Sequence, residues 1–209
     1  MDVNANTVKE LREKTGAGVM DCKKALAENK GDLEKATVWL REKGIASAAK
    51  RAGRVASEGS VGTYIHAGGK LGVLVEVNCE TDFFAKGPDF QTLVKDVAMQ
   101  IAATNPRCVR REELPSNILE QERQIYASQA AGTGKPEQVI AKIVEGKIDK
   151  FYKEACLMEQ SWVKDPNKTI TELIGEYTGK SGEKIEIRRF VRFQLGEGLA
   201  AKTEESASS

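Results

Sequence analysis

Histidine is nearly missing from this chain: among 209 residues only His66 carries an imidazole. A Ser-His-Asp or Cys-His apparatus would have to be assembled around that one residue, and no GxSxG elbow is present, so hydrolytic catalysis is disfavoured. Charge of one sign is missing too. Lys+Arg of 32 against Asp+Glu of 31 leaves a formal net charge of +1, which creates no global field to gather nucleic acid or an anionic membrane. No apolar run approaches the roughly 20 residues of a bilayer span, and no charged segment followed by an apolar one opens the chain. The expectation is a soluble protein that is not secreted. An organellar precursor whose transit peptide has been removed would look the same.

Close cysteine spacings are also lacking. Cys22, Cys79, Cys108 and Cys156 are scattered along the chain, so neither a zinc knuckle nor a redox CxxC is available. They read as small buried hydrophobes in a reducing compartment. Gly132-Thr133-Gly134-Lys135 looks like the end of a phosphate loop, but Gln129 stands where a Walker sequence wants Gly, and Pro136 replaces the Ser or Thr that would hold Mg²⁺. No cofactor and no metal are expected.

What is present is a change of hydrophobic period along the chain. Thr7 with Glu10 forms a capping box ahead of a short helix ending at Thr15-Gly16. Val19, Cys22, Ala25 and Leu26 then repeat at helical spacing up to Asn29-Lys30-Gly31. Asp32 opens a third helix with Leu33, Ala36 and Leu40 inward, ended by Gly44. Three short helices in residues 1–45 make a compact module resembling a ubiquitin-associated domain, too small to be more than marginally stable alone. The Ala-rich stretch 46–59 reads as a helical or flexible connector.

From Ser60 the period becomes two. Val61, Thr63 and Ile65 alternate with Tyr64 and His66, and Leu71 to Val77 returns after Ala67-Gly68-Gly69-Lys70. Asp89 caps a helix lined by Phe90, Leu93, Val94, Val97 and Ile101, and Asn105-Pro106 ends it. A further helix follows from Ser116 to about Ala131. Ile140, Val144, Ile148 and Phe151 continue the helical pattern after Pro136, and a capping box at Thr169-Ile170-Thr171-Glu172 opens a partner helix, giving a helical hairpin arm over about 136–178 with Trp162 in the loop between. A last strand alternates Ile185, Ile187, Val191, Phe193 and Leu195 with Glu186, Arg188, Arg192 and Gln194. Residues 200–209 read as a disordered tail. The fold class is therefore α+β: a three-helix N-terminal domain, then residues 60–199 as an antiparallel sheet with packed helices and the helical arm.

The most informative segment is Glu76-Val77-Asn78-Cys79-Glu80-Thr81-Asp82-Phe83-Phe84-Ala85-Lys86. A strand runs into Thr81 or Asp82 as a helix cap and then into two adjacent aromatics. Consecutive residues at a helix start cannot both point the same way, so one phenylalanine faces outward. An exposed aromatic beside a carboxylate on a rigid turn is how a protein presents a wedge to a partner.

That segment, together with Val8-Lys9-Glu10-Leu11-Arg12-Glu13-Lys14-Thr15-Gly16-Ala17-Gly18-Val19-Met20-Asp21-Cys22-Lys23-Lys24-Ala25-Leu26, closely resembles the two signature stretches of the translation elongation factor Ts family, over about residues 4 to 199. The resemblance implies guanine-nucleotide exchange on elongation factor Tu, a non-covalent activity. Elongation factor Tu, GDP-bound or nucleotide-free, is then the partner, with neither membrane nor nucleic acid engaged. The implied site is this: Thr81, Asp82, Phe83 and Phe84 enter the GTPase near its Mg²⁺ and phosphates, while Val19, Met20 and Lys23 dock on its nucleotide-binding domain and His66 touches a second domain. Phe84, where the family most often has Val, and Val19 are each equally readable as core, and His66 as an ordinary half-exposed strand residue. Carrying the Tyr-x-His hairpin and the Thr-Asp-Phe turn in one repeat unit, a short form of this kind is expected to rebuild the full surface as a homodimer, through sheet edges or the 60–77 hairpin. The cellular site follows as the bacterial cytoplasm, or a plastid or mitochondrial matrix. The rival reading is an interaction module that binds proteins or RNA and accelerates nothing. It makes the Phe83 side chain dispensable, and Arg188, Arg189 and Arg192 would be its phosphate contacts.

Overall fold

The computed structural model describes residues 4–132 and 136–199. The expected tail at 200–209 and residues 133–135 of the glycine-rich stretch lie outside them. The architecture is α+β. Helices α1 (Ala5–Thr15), α2 (Val19–Glu28) and α3 (Leu33–Arg51) open the chain. Their apolar positions converge on a core of Val8, Leu11, Cys22, Ala25, Leu26 and Ala36. The first helix starts a turn earlier than its capping box suggests. Asn4 is the cap, its side chain accepting from the Asn6 N–H, and Thr7 sits inside the helix.

A larger difference lies in α3, which runs through Gly44 to Arg51 instead of stopping there. Gly44 is needed for close approach: a Cβ at this position would lie 2.8 Å from the Gly175 carbonyl oxygen. The first part of the stretch expected as a connector, residues 46–51, is therefore the end of a continuous helix. The helix packs on α8 (Ile170–Ser181), and glycine at the crossing lets the two backbones meet.

Strands β1 (Glu58–Ile65), β2 (Leu71–Cys79) and β5 (Glu186–Gln194) form an antiparallel sheet in the order β1-β2-β5. Helix α5 (Pro88–Thr104) lies across one face. It is capped at Gly87 with Pro88 as first residue, two residues ahead of the expected cap Asp89. Phe90, Leu93, Val94, Val97 and Ile101 meet Val73, Val75 and Val77 in the main core, and each such burial stabilises by about 1.5–3 kcal/mol. In β1 the inward positions are Ser60, Gly62 and Tyr64. A Cβ on Gly62 would strike a Val94 methyl group, so the helix sits tight against the strand. Val61, Thr63 and Ile65 face out.

The alternation expected along the last strand breaks at a bulge. Glu76 pairs with Arg189 and Val77 with Ile187, so Arg188 is the extra residue. One inserted residue transfers everything beyond it to the other face. Ile187 is buried, whereas Val191 and Phe193 join Val61, Ile65 and Leu74 on the open side of the sheet.

Helix α6 (Ser116–Ala131) pairs with α7 (Glu137–Ala155). The helical arm is thus 116–155, and not the 136–178 pairing expected, because α8 is occupied by α3. Between α7 and α8 a ribbon of β3 (Ser161–Trp162) and β4 (Asp165–Thr169) brings Trp162 onto the main core. Buried Gln100 secures it by donating to Gln160 and the Ser161 carbonyl and accepting from the Val163 N–H. The capping box at Thr169 and Glu172 forms as expected. All four cysteines are buried, but two of them are not isolated. The chain brings Cys108 and Cys156 to 3.6 Å between sulfurs, beside a parallel bridge at the root of the arm. Burial pushes the Cys156 thiol up to about 12.

Candidate functional site

At the end of β2 the backbone turns into α4 (Asp82–Ala85), a single helical turn. Thr81, not Asp82, is its cap: the Thr81 hydroxyl accepts from the Phe84 N–H at 3.2 Å. Ala85 is buried, so α4 is anchored on the side of Phe84 and Ala85, and Gln91 of α5 donates to the Ala85 carbonyl at 2.7 Å. The 100° step between successive helical residues then sends the two phenylalanines apart. Phe84 packs edge-on to Phe90, ring centroids 5.4 Å apart. Phe83 is 91% exposed.

Asp82 shares this outer surface and pairs with Lys86 at 2.5 Å, one turn on. The carboxylate beside it raises the Lys86 ammonium above its ordinary value. Both partners are solvated, so the pair contributes little to stability and is easily exchanged for an outside ligand.

The turn is gripped from a distant part of the chain. Glu183, in the loop between α8 and β5, accepts from the Glu80 N–H at 3.1 Å, the Thr81 N–H at 3.0 Å and the Thr81 hydroxyl at 2.6 Å. Glu80 answers by accepting from the Lys184 N–H at 2.5 Å and pairing with Arg54. The Lys184 N–H bond, with Arg54 beside it, holds the Glu80 carboxyl below its usual range. Burial, and then the Glu183 charge, push the Cys79 thiol up to about 11, so it is an inert packing group at neutral pH. Glu80, Glu183 and their contacts escape a reading of the sequence: the partners lie 102 residues apart, and no local motif joins them.

The other expected residues fall on separate surfaces. Val19 and Met20 open α2, and both are exposed, by 50% and 75%. The α2 stripe reaches the core only at Cys22, Ala25 and Leu26, one turn further on. Val19 and Lys23 instead line a shallow groove with Ala5, Val8, Lys9 and Arg12 of α1. His66 is exposed at the β1–β2 turn, its Nδ1 3.0 Å from the Tyr64 hydroxyl. The Thr81 turn is at the opposite end of β2, roughly 25–30 Å away at about 3.3 Å per strand residue. Among the described residues no three His, Cys, Asp or Glu side chains converge as metal ligands, and no helix is long and apolar enough to cross a membrane.

The arrangement is a presented surface with no nucleophile–base pair in it, suited to pushing into a partner. The chain is 58% identical over 207 residues to "Elongation factor Ts" of Desulforamulus reducens, covering 99% of this chain and 95% of that protein. It is 59% identical over 208 residues to the Geobacter sulfurreducens protein of the same name, covering 100% and 96%. With the Thermoanaerobacter sp. protein the identity is 58% over 203 residues, 97% of this chain and 100% of the relative. The profile of the family described as Elongation factor TS matches residues 3–197, and the chain belongs to that family.

Proposed function

We propose that this member of the elongation factor Ts family, and hence guanine-nucleotide exchange factor for elongation factor Tu, works by driving the Phe83 ring into the GTPase beside the site of its Mg²⁺ and phosphates. The observation that carries this reading is the 91% exposure of Phe83 on a turn that its neighbours hold still. A soluble protein gains nothing in its free state from an aromatic ring held in water, whereas a partner that buries it gains a hot spot. An apolar wedge that separates the elements holding Mg²⁺ misplaces the metal ligands, and the diphosphate loses its main counter-charge. Asp82, released from Lys86, adds repulsion toward phosphate or accepts from the displaced loop. Phe84 supports the wedge from behind.

Val19, Met20 and Lys23 form the docking face of the helical module at 1–45, and His66 reaches a second domain of the GTPase from the far end of the hairpin in the 60–199 body. The 46–59 stretch, helical as far as Arg51 in α3, acts as a link between the two units. Linkage makes release automatic: a factor that weakens GDP binding by some ratio is itself weakened by GDP in the same ratio. The open sheet face, with Val61, Ile65, Leu74, Val191 and Phe193 exposed, is covered by a second copy of the chain, a self-complementary use of one surface. The work is done in a bacterial cytoplasm, a reading that the bacterial source of the relatives supports.

The test is stopped-flow release of fluorescent GDP from elongation factor Tu. Acceleration that saturates with the concentration of this protein is expected. Release at the spontaneous rate would leave only the interaction-module reading.

A further inference from the structure

Phe83 has no packing of its own to fix its direction, so whatever aims it must act through the backbone of residues 80–82. Among the described residues, the side chain from elsewhere in the chain that hydrogen-bonds that backbone is Glu183 of the α8–β5 loop, and its neighbour Lys184 bonds the Glu80 side chain. The Glu183 carboxylate takes the Glu80 and Thr81 N–H groups on one oxygen and the Thr81 hydroxyl on the other. In the opposite direction the Lys184 N–H is taken by Glu80. The two turns are clasped reciprocally, and Thr81 is held at its hydroxyl while that same oxygen caps α4.

The clasp is also tied to the docking module. Arg51, the last residue of α3, donates to the Gly182 carbonyl at 3.0 Å. Arg54 pairs with Glu80, and the Lys184 ammonium donates to the Arg54 carbonyl at 3.1 Å. Helix α3 therefore ends on the loop that grips the wedge. On these contacts we propose that Glu183 is a positioning residue for nucleotide exchange, clamping the Thr81 turn so that Phe83 is aimed in register with the docking face on α2. This rests on the wedge reading of Phe83.

The alternative is that Glu183 merely adds stability, as any well-bonded carboxylate does. The two differ in what happens when the wedge is already gone. Glu183→Ala, Glu183→Gln, Phe83→Ala and the Phe83→Ala/Glu183→Ala double variant are compared in the GDP-release assay over a range of factor concentrations. Glu183→Ala is expected to lower the saturating rate roughly tenfold or more, since misplacing a reacting group by about 1 Å can cost up to about a hundredfold. The concentration giving half-maximal rate should stay within about twofold, because the α2 face is untouched. Glu183→Gln, which keeps an oxygen for the two N–H groups, should recover most of the loss.

In the Phe83→Ala background, loss of Glu183 should change the rate by less than about twofold, the non-additivity of groups that act as a unit. Amide hydrogen exchange adds a readout free of the partner: the Glu80 and Thr81 N–H groups should lose protection in Glu183→Ala, and the α1–α3 core should not. A loss of equal size in both backgrounds, or a shift confined to half-maximal concentration, overturns the proposal. An unimpaired Glu183→Ala beside an impaired Phe83→Ala overturns the clamp and leaves the wedge. An unimpaired Phe83→Ala overturns the wedge itself, and the clamp falls with it.

Discussion

The adjacent phenylalanines supply their own control. Phe83 keeps about a tenth of its surface covered, so truncating it to alanine removes roughly a tenth of the 1.5–3 kcal/mol that burying such a side chain is worth, about 0.2 kcal/mol. For a chain of this size that moves Tm by less than about 1 °C. Phe84 is half-buried against Phe90. Its truncation forfeits apolar contact and an edge-on aromatic pair, about 2–3 kcal/mol, and lowers Tm by roughly 4–10 °C. Exchange should run the other way. If the partner buries the nine-tenths of Phe83 that is open to water, its loss costs the complex about 1.4–2.7 kcal/mol, a roughly 10- to 100-fold fall in the apparent second-order rate constant of GDP release. Phe84→Ala, assayed well below its own Tm, should lose less than Phe83→Ala. Thermal unfolding by circular dichroism and stopped-flow release with fluorescent GDP give both numbers on the same preparations. Phe83→Ala exchanging within about threefold of the parent would refute the wedge, as would a loss of exchange that merely followed a loss of stability.

Phe193, 68% exposed in the open sheet face, should disperse a homodimer when replaced by aspartate: a charge in a buried apolar seam costs several kcal/mol, so light scattering at micromolar concentration should give a dimer for the parent and a monomer for Phe193→Asp. A monomeric parent would remove the basis for the seam. The Cys108 and Cys156 thiols, 3.6 Å apart, should join when hydrogen peroxide takes their two electrons and two protons, leaving a disulfide and water. The reaction should be slow at neutral pH, because burial pushes Cys156 up to about 12, and faster as pH rises. Closing a loop of 48 residues stabilises by at most about 4 kcal/mol, so Tm should rise by several degrees in the parent and not in Cys108→Ser. Peptide mapping that finds both thiols free after prolonged oxidation would count against the pairing.

The parts legible in the sequence share one property, that their cause is local. The stripe on α2, the capping box at Thr169 and the direction of Phe83 each follow from spacing within a few residues. Gly44 shows where that reading fails. A glycine after an apolar run looks like a helix end, and nothing nearby reveals that Gly175, 131 positions on, needs the space. The bulge at Arg188 is hidden for the same reason, since register belongs to a pair of strands and the pattern of one strand cannot show a slip against the other. The cysteines look solitary because only the fold measures the gap between 108 and 156. Glu183 is the extreme case, a charged residue in a Gly-rich turn that by composition is ordinary solvent-facing loop. A wedge needs an exposed tip and a rigid base. The tip is written in consecutive letters, Thr81-Asp82-Phe83, whereas a base rigid enough to bear load must be braced by chain from elsewhere. On the wedge proposal, the residues that would touch a partner are therefore the ones a sequence reveals, and the residues that would aim them are the ones a structure has to supply.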